Sequence, residues 1–198
     1  MGFDPIKPAL AKVAAINDRK QVQHVMYELA AKGYGTMPFW FGMGQDAINS
    51  DNYLFGVGQS GIGLDPEYYT HPNPQQQAVV AAYKSLMKDY FKMVGNSDAL
   101  AEQKMQAAFA IENQIAQKSY DQVKSRDPKA NIHKISWADL LRDYPGIDWM
   151  EAHRQYGYPT DIDTVDVGQP EPIHEVEKIL ATADLFALKA YMEASVIS

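Results

Sequence analysis

The sequence predicts a mainly α fold: an irregular multi-helix domain over residues 1–198 with one small β-hairpin. Three observations carry that reading. Apolar residues recur at spacings of three and four through most of the chain, the pattern of helices that bury one stripe. Residues that cap helices well stand just ahead of these runs, and Gly or Pro stands just behind them. Between Thr36 and Tyr69 the helical period gives way to aromatic runs bounded by glycine, which read as strands.

Asp18, with Gln21 three residues on, caps a helix whose stripe is Val22, Val25, Met26 and Leu29, and Gly33 is its stop. Met37 to Met43 and Tyr53 to Gly58 are the two strands of the hairpin, separated by a polar stretch. After His71-Pro72-Asn73-Pro74 a longer helix places Val79, Tyr83, Leu86, Met87, Tyr90 and Val94 on one face and closes at Gly95. Ser97 or Asp98 caps the next, expected to run to about Val123 with Met105, Ala108, Phe109, Ile115 and Ala116 inward. The Gly95-Asn96 break makes these two antiparallel neighbours. Arg126-Asp127-Pro128 ends the long helix. Ser136 caps a short helix through Leu141, Tyr144-Pro145-Gly146 is a turn, and Asp148 caps another helix with Trp149 and Met150. Thr164 to Val167 reads as extended. Pro172 sits at a helix start with Ile173, Val176 and Leu180 on one face, and Asp184 caps a last helix bearing Leu185, Leu188, Met192 and Val196.

Composition bounds the function. The formal charge is −7, and the 18 basic residues are spread along the chain, which argues against a nucleic-acid surface. There are no cysteines, so disulfides, thiolate catalysis and cysteine zinc sites are excluded. No uninterrupted apolar run is long enough to span a bilayer, and Met1-Gly2-Phe3-Asp4-Pro5-Ile6 lacks the basic start and apolar run of a signal peptide.

Each motif that suggests chemistry has a simpler reading beside it. Gly56-Val57-Gly58-Gln59-Ser60-Gly61 has the spacing of a dinucleotide-binding loop. It runs into Ile62-Gly63-Leu64-Asp65-Pro66 instead of a helix, so the glycines are expected to serve backbone turns. Glu112 falls on an apolar helical stripe, where a carboxylate must find a partner; a structural salt bridge or hydrogen bond is expected, with Arg126 one candidate. Phe39-Trp40-Phe41 could stack a sugar or peptide, but strand alternation makes it first of all core. Asp139, Asp143 and Asp148 are explained by capping and solvation. H-E-x-x-H is absent, and the five histidines, His24, His71, His133, His153 and His174, are each at least 20 residues from the next. A local two-histidine metal site is therefore excluded, and no residue is assigned as catalytic or metal-binding.

The segment Pro38 to Ser50 (PFWFGMGQDAINS), followed by Gln59 to Leu64 and Tyr68-Tyr69, resembles the N-terminal helical domain of neprilysin and endothelin-converting-enzyme-type zinc metallopeptidases. The series resumes at Ile111-Glu112, Arg126-Asp127-Pro128, Ser136 to Leu140, Pro145 to Trp149 and Tyr191, so the resemblance covers nearly the whole chain. One departure is Leu64-Asp65-Pro66-Glu67, where the family places proline directly after the leucine.

The resemblance implies two lobes enclosing a cavity. A C-terminal thermolysin-like lobe carries H-E-x-x-H and the zinc, and a mostly helical lobe closes the chamber and limits substrate size. This chain then corresponds to part of the helical lobe: a fragment of a zinc metalloendopeptidase, inactive alone, with no cofactor of its own. Its partners are the missing catalytic lobe and, through the parent, peptide substrates. The alternative is a stand-alone helical module that binds a protein or peptide. Asp46, Asn49, Ser50, Gln59, Gly61, Tyr69, Glu112, Asp148 and Trp149 carry over as family motif positions, structural or facing the cavity. The family's segment before the first helix has no counterpart here, and the still-apolar end at Ser195-Val196-Ile197-Ser198 leads us to expect further covering structure in a parent. Family members are exported, membrane-anchored or cytosolic, and the resemblance selects no compartment.

Overall fold

The computed structural model describes residues 2–35, 37–159 and 161–198; Met1 and Thr36, the expected start of the strand region, lie outside the described residues. In chain order the elements are α1 (Lys7–Ala14), α2 (Lys20–Ala31), β1 (Phe39–Gln45), β2 (Tyr53–Gln59), α3 (Pro66–Thr70), α4 (Pro74–Met93), α5 (Asp98–Ala116), α6 (Gln122–Ser125), β3 (Lys134–Ser136), α7 (Trp137–Asp143), α8 (Trp149–Tyr156), β4 (Thr164–Val167), α9 (Pro170–Thr182) and α10 (Leu185–Ile197). The mainly α class is as the sequence predicts.

Caps set most of the helix boundaries. Asn73 and Gln76 form a reciprocal capping box at α4, and Ser97, Ser136, Asp148 and Asp184 each accept a backbone N–H from the first turn of α5, α7, α8 and α10. Gly33 and Gly95 end α2 and α4 with positive φ, and the next residue's N–H returns to a carbonyl five residues back, Tyr34 to Leu29 and Asn96 to Phe91. α1 has no counterpart in the sequence-based expectation, because it starts without a side-chain cap. It is held instead by tertiary contact: Ala9 and Val13 are buried, and the Lys189 ammonium donates to the carbonyls of Ala14 and Ile16 at 2.7 and 2.8 Å.

Two expectations about the long helices need correction. The third long helix ends at Ala116, not near Val123. Tyr120 leaves the helix because its N–H donates to Gln59 Oε1 (3.3 Å) and its hydroxyl to Glu171 (2.7 Å), after which Asp121 caps the separate α6. Val123 is 81% exposed, so the apolar period that suggested a continuous helix buries nothing there. The stripe of α4 is also narrower than its spacing suggests. Met87 and Phe91 are buried, whereas Val79 and Leu86 are 43% and 47% exposed.

The hairpin is part of a four-stranded sheet in the order β1-β2-β4-β3. β1 and β2 pair antiparallel with Gly42 opposite Gly56, β4 adds parallel to β2 with Val165 beside Phe55, and β3 closes antiparallel on β4. β3 is three residues long, too short to show a period. On the inner face Phe39, Phe41, Phe55, Val57, Val165 and Val167 are buried, in a cluster with Trp149 and His153 of α8. Trp40, expected in the core with its neighbours, is instead 49% exposed, because strand alternation turns it to the face opposite Phe39 and Phe41. The turn role expected of the Gly56-Gly58-Gly61 series holds for Gly61, with φ of +78°. Gly56 and Gly58 are strand residues that make room for the Trp40 indole; a Cβ on Gly56 would lie 2.9 Å from that ring. α5 lies at the centre of the helical part, against α4, α10 and α9, and the buried apolar side chains of sheet and helices form one contiguous cluster.

Candidate functional site: a tyrosine–carboxylate cleft

α5 carries Glu112 on the same face as Met105, Ala108 and Ile115, and packing leaves it 6% exposed. Its partners come from α3 and α4. Tyr69 donates its hydroxyl proton to Oε2 at 2.7 Å and Tyr83 to Oε1 at 2.8 Å. The Tyr69 oxygen in turn accepts the backbone N–H groups of Gly63 and Leu64, both at 3.2 Å, which ties the loop after β2 to the carboxylate. The expected partner Arg126 is elsewhere, exposed at the end of α6, because the helix stops short of it. Burial pushes the Glu112 carboxyl above its ordinary range, although the tyrosine hydrogen bonds pull the other way. Burial and then the Glu112 charge raise both tyrosine hydroxyls.

Gly61 closes the same cluster. The Tyr191 hydroxyl of α10 donates to its carbonyl at 2.8 Å, and a Cβ there would sit 2.2 Å from that hydroxyl and 2.5 Å from Pro38 Cα. Beside Glu112 opens a cleft of about 300 Å³, walled by Ile62, Tyr83, Leu86, Met87, Tyr90 and Ala194.

The structure therefore brings Gly61, Tyr69 and Glu112 together and leaves the other motif positions apart. Asp46, in the β1–β2 loop, is buried; it accepts Lys134 Nζ of β3 at 2.6 Å and the Ile48 N–H at 2.8 Å, and its carboxyl is held below the usual range chiefly by Lys134. Asn49 and Ser50 are exposed in that loop, Asn49 accepting the Asp51 N–H and the Ser50 carbonyl accepting Gln45 Nε2. Gln59 supports Tyr120. Asp148 caps α8, and its N–H donates to Gln23 Oε1 at 2.8 Å. Trp149 is core, with its indole N–H on the Tyr144 carbonyl at 3.0 Å and its ring 5.4 Å from Phe39. Asp139 and Asp143 flank Arg142 and form no separate acidic site. Tyr83 was legible only as a stripe residue, and its polar tip inside an apolar stripe is the signal that points to Glu112.

The histidines are dispersed. His24 pairs with Glu151 at 2.5 Å and His174 with Glu177 at 3.0 Å. His133 contacts the Val167 carbonyl, and His71 is exposed after α3. His153 is fully buried, its Nδ1 on the Pro159 carbonyl and its Nε2 without a partner, and burial lowers its pKa. Among the described residues no three His, Asp or Glu side chains converge as metal ligands, so this donor set does not fit a zinc site.

These features define a mainly helical scaffold in which the motif carboxylates Asp46, Asp148 and Glu112 serve an ion pair, a helix cap and a tyrosine–carboxylate cluster. The chain belongs to peptidase family M13, whose family model matches residues 1–198. It is 28% identical over 164 residues to human endothelin-converting enzyme 1, a match that covers 80% of this chain and 21% of that protein. The guinea-pig (Cavia porcellus) enzyme is 29% identical, with 80% of this chain and 22% of that protein covered. The chain thus spans about a fifth of the length of these relatives. Among solved structures, zinc metalloprotease Zmp1 of Mycobacterium tuberculosis in complex with an inhibitor aligns with a TM-score of 0.89 and 25% identity, over 98% of this chain and 30% of that one. PepO of Lactobacillus rhamnosis aligns with a TM-score of 0.80 over 99% of this chain and 31% of that one; at 18% identity it shows the fold alone. Among the described residues no helix is long and apolar enough to cross a membrane.

Proposed function

We propose that residues 1–198 are a single helical domain forming part of the helical lobe of a zinc metalloendopeptidase, enclosing its cavity and restricting peptide access. Bond breaking belongs to a separate C-terminal lobe that holds the zinc. The observation that carries this reading is the pairing of near-complete alignment to Zmp1, over 98% of this chain but 30% of that one, with a donor set that does not fit a metal. Within it, Gly61, Tyr69, Asp46, Gln59, Asp148 and Trp149 act as structural positions, because each spends its polar group inside the fold or is core, while Glu112 both anchors the two tyrosines and lines the cleft. Asn49 and Ser50, exposed on the β1–β2 loop, are the motif positions free to face another lobe.

The purified chain, incubated with an unfolded peptide with and without a chelator, is expected to give no chelator-sensitive cleavage. Cleavage abolished by the chelator overturns the assignment. The access role is tested on a full-length parent that contains this region and H-E-x-x-H. It is expected to cut short peptides and spare a folded protein carrying the same sequence; equal rates on both refute confinement.

A further inference from the structure

Four carboxylates among the described residues are buried: Asp46, Glu112, Glu175 and Glu193. Three of them have a lysine: Asp46 with Lys134, Glu175 with Lys178 and Glu193 with Lys104. Among the described residues Glu112 has the two tyrosine hydroxyls and the nearby Gly63 N–H, and no lysine. Hydroxyl donors spread a negative charge without cancelling it, and each carboxylate oxygen keeps room for a further donor. Glu112 also lines the cleft of about 300 Å³, where aliphatic (Ile62, Leu86, Met87, Ala194) and aromatic (Tyr83, Tyr90) side chains stand beside Ser195 and Ser198.

We propose that this cleft is a binding site for an alkyl cation, an ammonium or guanidinium group on an aliphatic stem, with the charged head on Glu112 and the stem along Leu86 and Met87. The chemistry of each wall fits one part of such a ligand. The carboxylate supplies the counter-charge that its burial lacks, the ring faces of Tyr83 and Tyr90 favour a cation, and the aliphatic wall takes the stem. The raised carboxyl of Glu112 fits the same picture, since an arriving cation relieves the cost of its ionised form. A lysine or arginine side chain of another polypeptide segment and a free alkylamine share this chemistry. The assignment is separate from the proposed lobe function and stands or falls without it.

The test is a titration of the purified chain with hexylammonium chloride and, in parallel, hexanol, followed by NMR of the methyl groups of Leu86, Met87 and Ala194. Hexylammonium is expected to shift these signals saturably and to bind at least tenfold more tightly than hexanol, and Glu112→Gln is expected to erase that difference. Equal binding of the two ligands, or shifts confined to methyls outside the cleft, overturns the proposal. The hexanol comparison needs no variant, so it decides the matter even where Glu112→Gln fails to fold. A third titration with Nα-acetyl-lysine methylamide, whose side-chain ammonium is free, separates the sources. Binding at the same methyls assigns the cleft to a polypeptide side chain, and binding of hexylammonium alone assigns it to a free amine; either result upholds the cation site.

Discussion

The β1–β2 loop and the C-terminal half of α5 each bury a carboxylate, and they hold it by different means. Asp46 is clamped by the Lys134 ammonium and a backbone N–H, so its charged form is favoured and its pKa lies low. Glu112 is held by two neutral hydroxyls among apolar side chains, and its pKa lies high. The difference teaches what each site is built from. At Asp46 one ion pair ties the β1–β2 loop to β3, on the far side of β4 from β2. At Glu112 a network draws three helices and a loop onto one side chain, and the charge is left without a counter-ion. The network is the more fragile of the two, because removing one member strands several buried polar groups.

The largest expected effect comes from breaking the closure of the network. Gly61→Ala combines a positive φ with a Cβ driven into Tyr191 and Pro38, and is expected to destabilise the chain by about 4 kcal/mol in urea unfolding. Tyr69→Phe comes next. It removes a donor from Glu112 and the acceptor of the Gly63 and Leu64 N–H groups, for an expected loss of about 3 kcal/mol. Tyr83→Phe removes one hydrogen bond from a half-buried hydroxyl, so about 1.5 kcal/mol is expected by the same measurement. If Tyr83→Phe proves as costly as Tyr69→Phe, the backbone N–H groups are not what makes Tyr69 the keystone.

The finest test is pH. Glu112 holds its proton more tightly folded than unfolded, so its contribution is fully present below the ordinary glutamate pKa of about 4.3 and is lost as pH rises toward the folded value. Asp46 has the opposite sign: its contribution is present above about pH 3.9 and is lost as pH falls through its lowered value. Stability profiles of Glu112→Gln and Asp46→Asn against the parent chain are therefore expected to diverge in opposite directions. Glu112→Gln should flatten the decline that begins above about pH 4.3, and Asp46→Asn should flatten the decline below about pH 3.9. Two difference profiles of the same sign would erase the contrast between the sites.

Much of this was legible beforehand because it is local. The caps at Ser97, Ser136, Asp148 and Asp184, the stop at Gly33 and the burial of Phe39 and Phe41 depend on residues within a turn or a strand pair. Glu112 on an apolar stripe announced a partnered carboxylate, though not which partner. What escaped was non-local. α1 depends on Lys189, the end of α5 depends on Gln59 and Glu171, and β3 exists because β4 is beside it.

By itself the sequence determined the mainly helical class, the family resemblance and the absence of H-E-x-x-H, since each is written in residue type and short spacing. Only the tertiary structure decided that Tyr69 and Tyr83, 43 and 29 residues from Glu112, share its carboxylate, and that among the described residues no lysine joins them. The physical reason is that a buried charge is settled by whatever packing brings within about 3 Å, a distance that chain spacing does not encode.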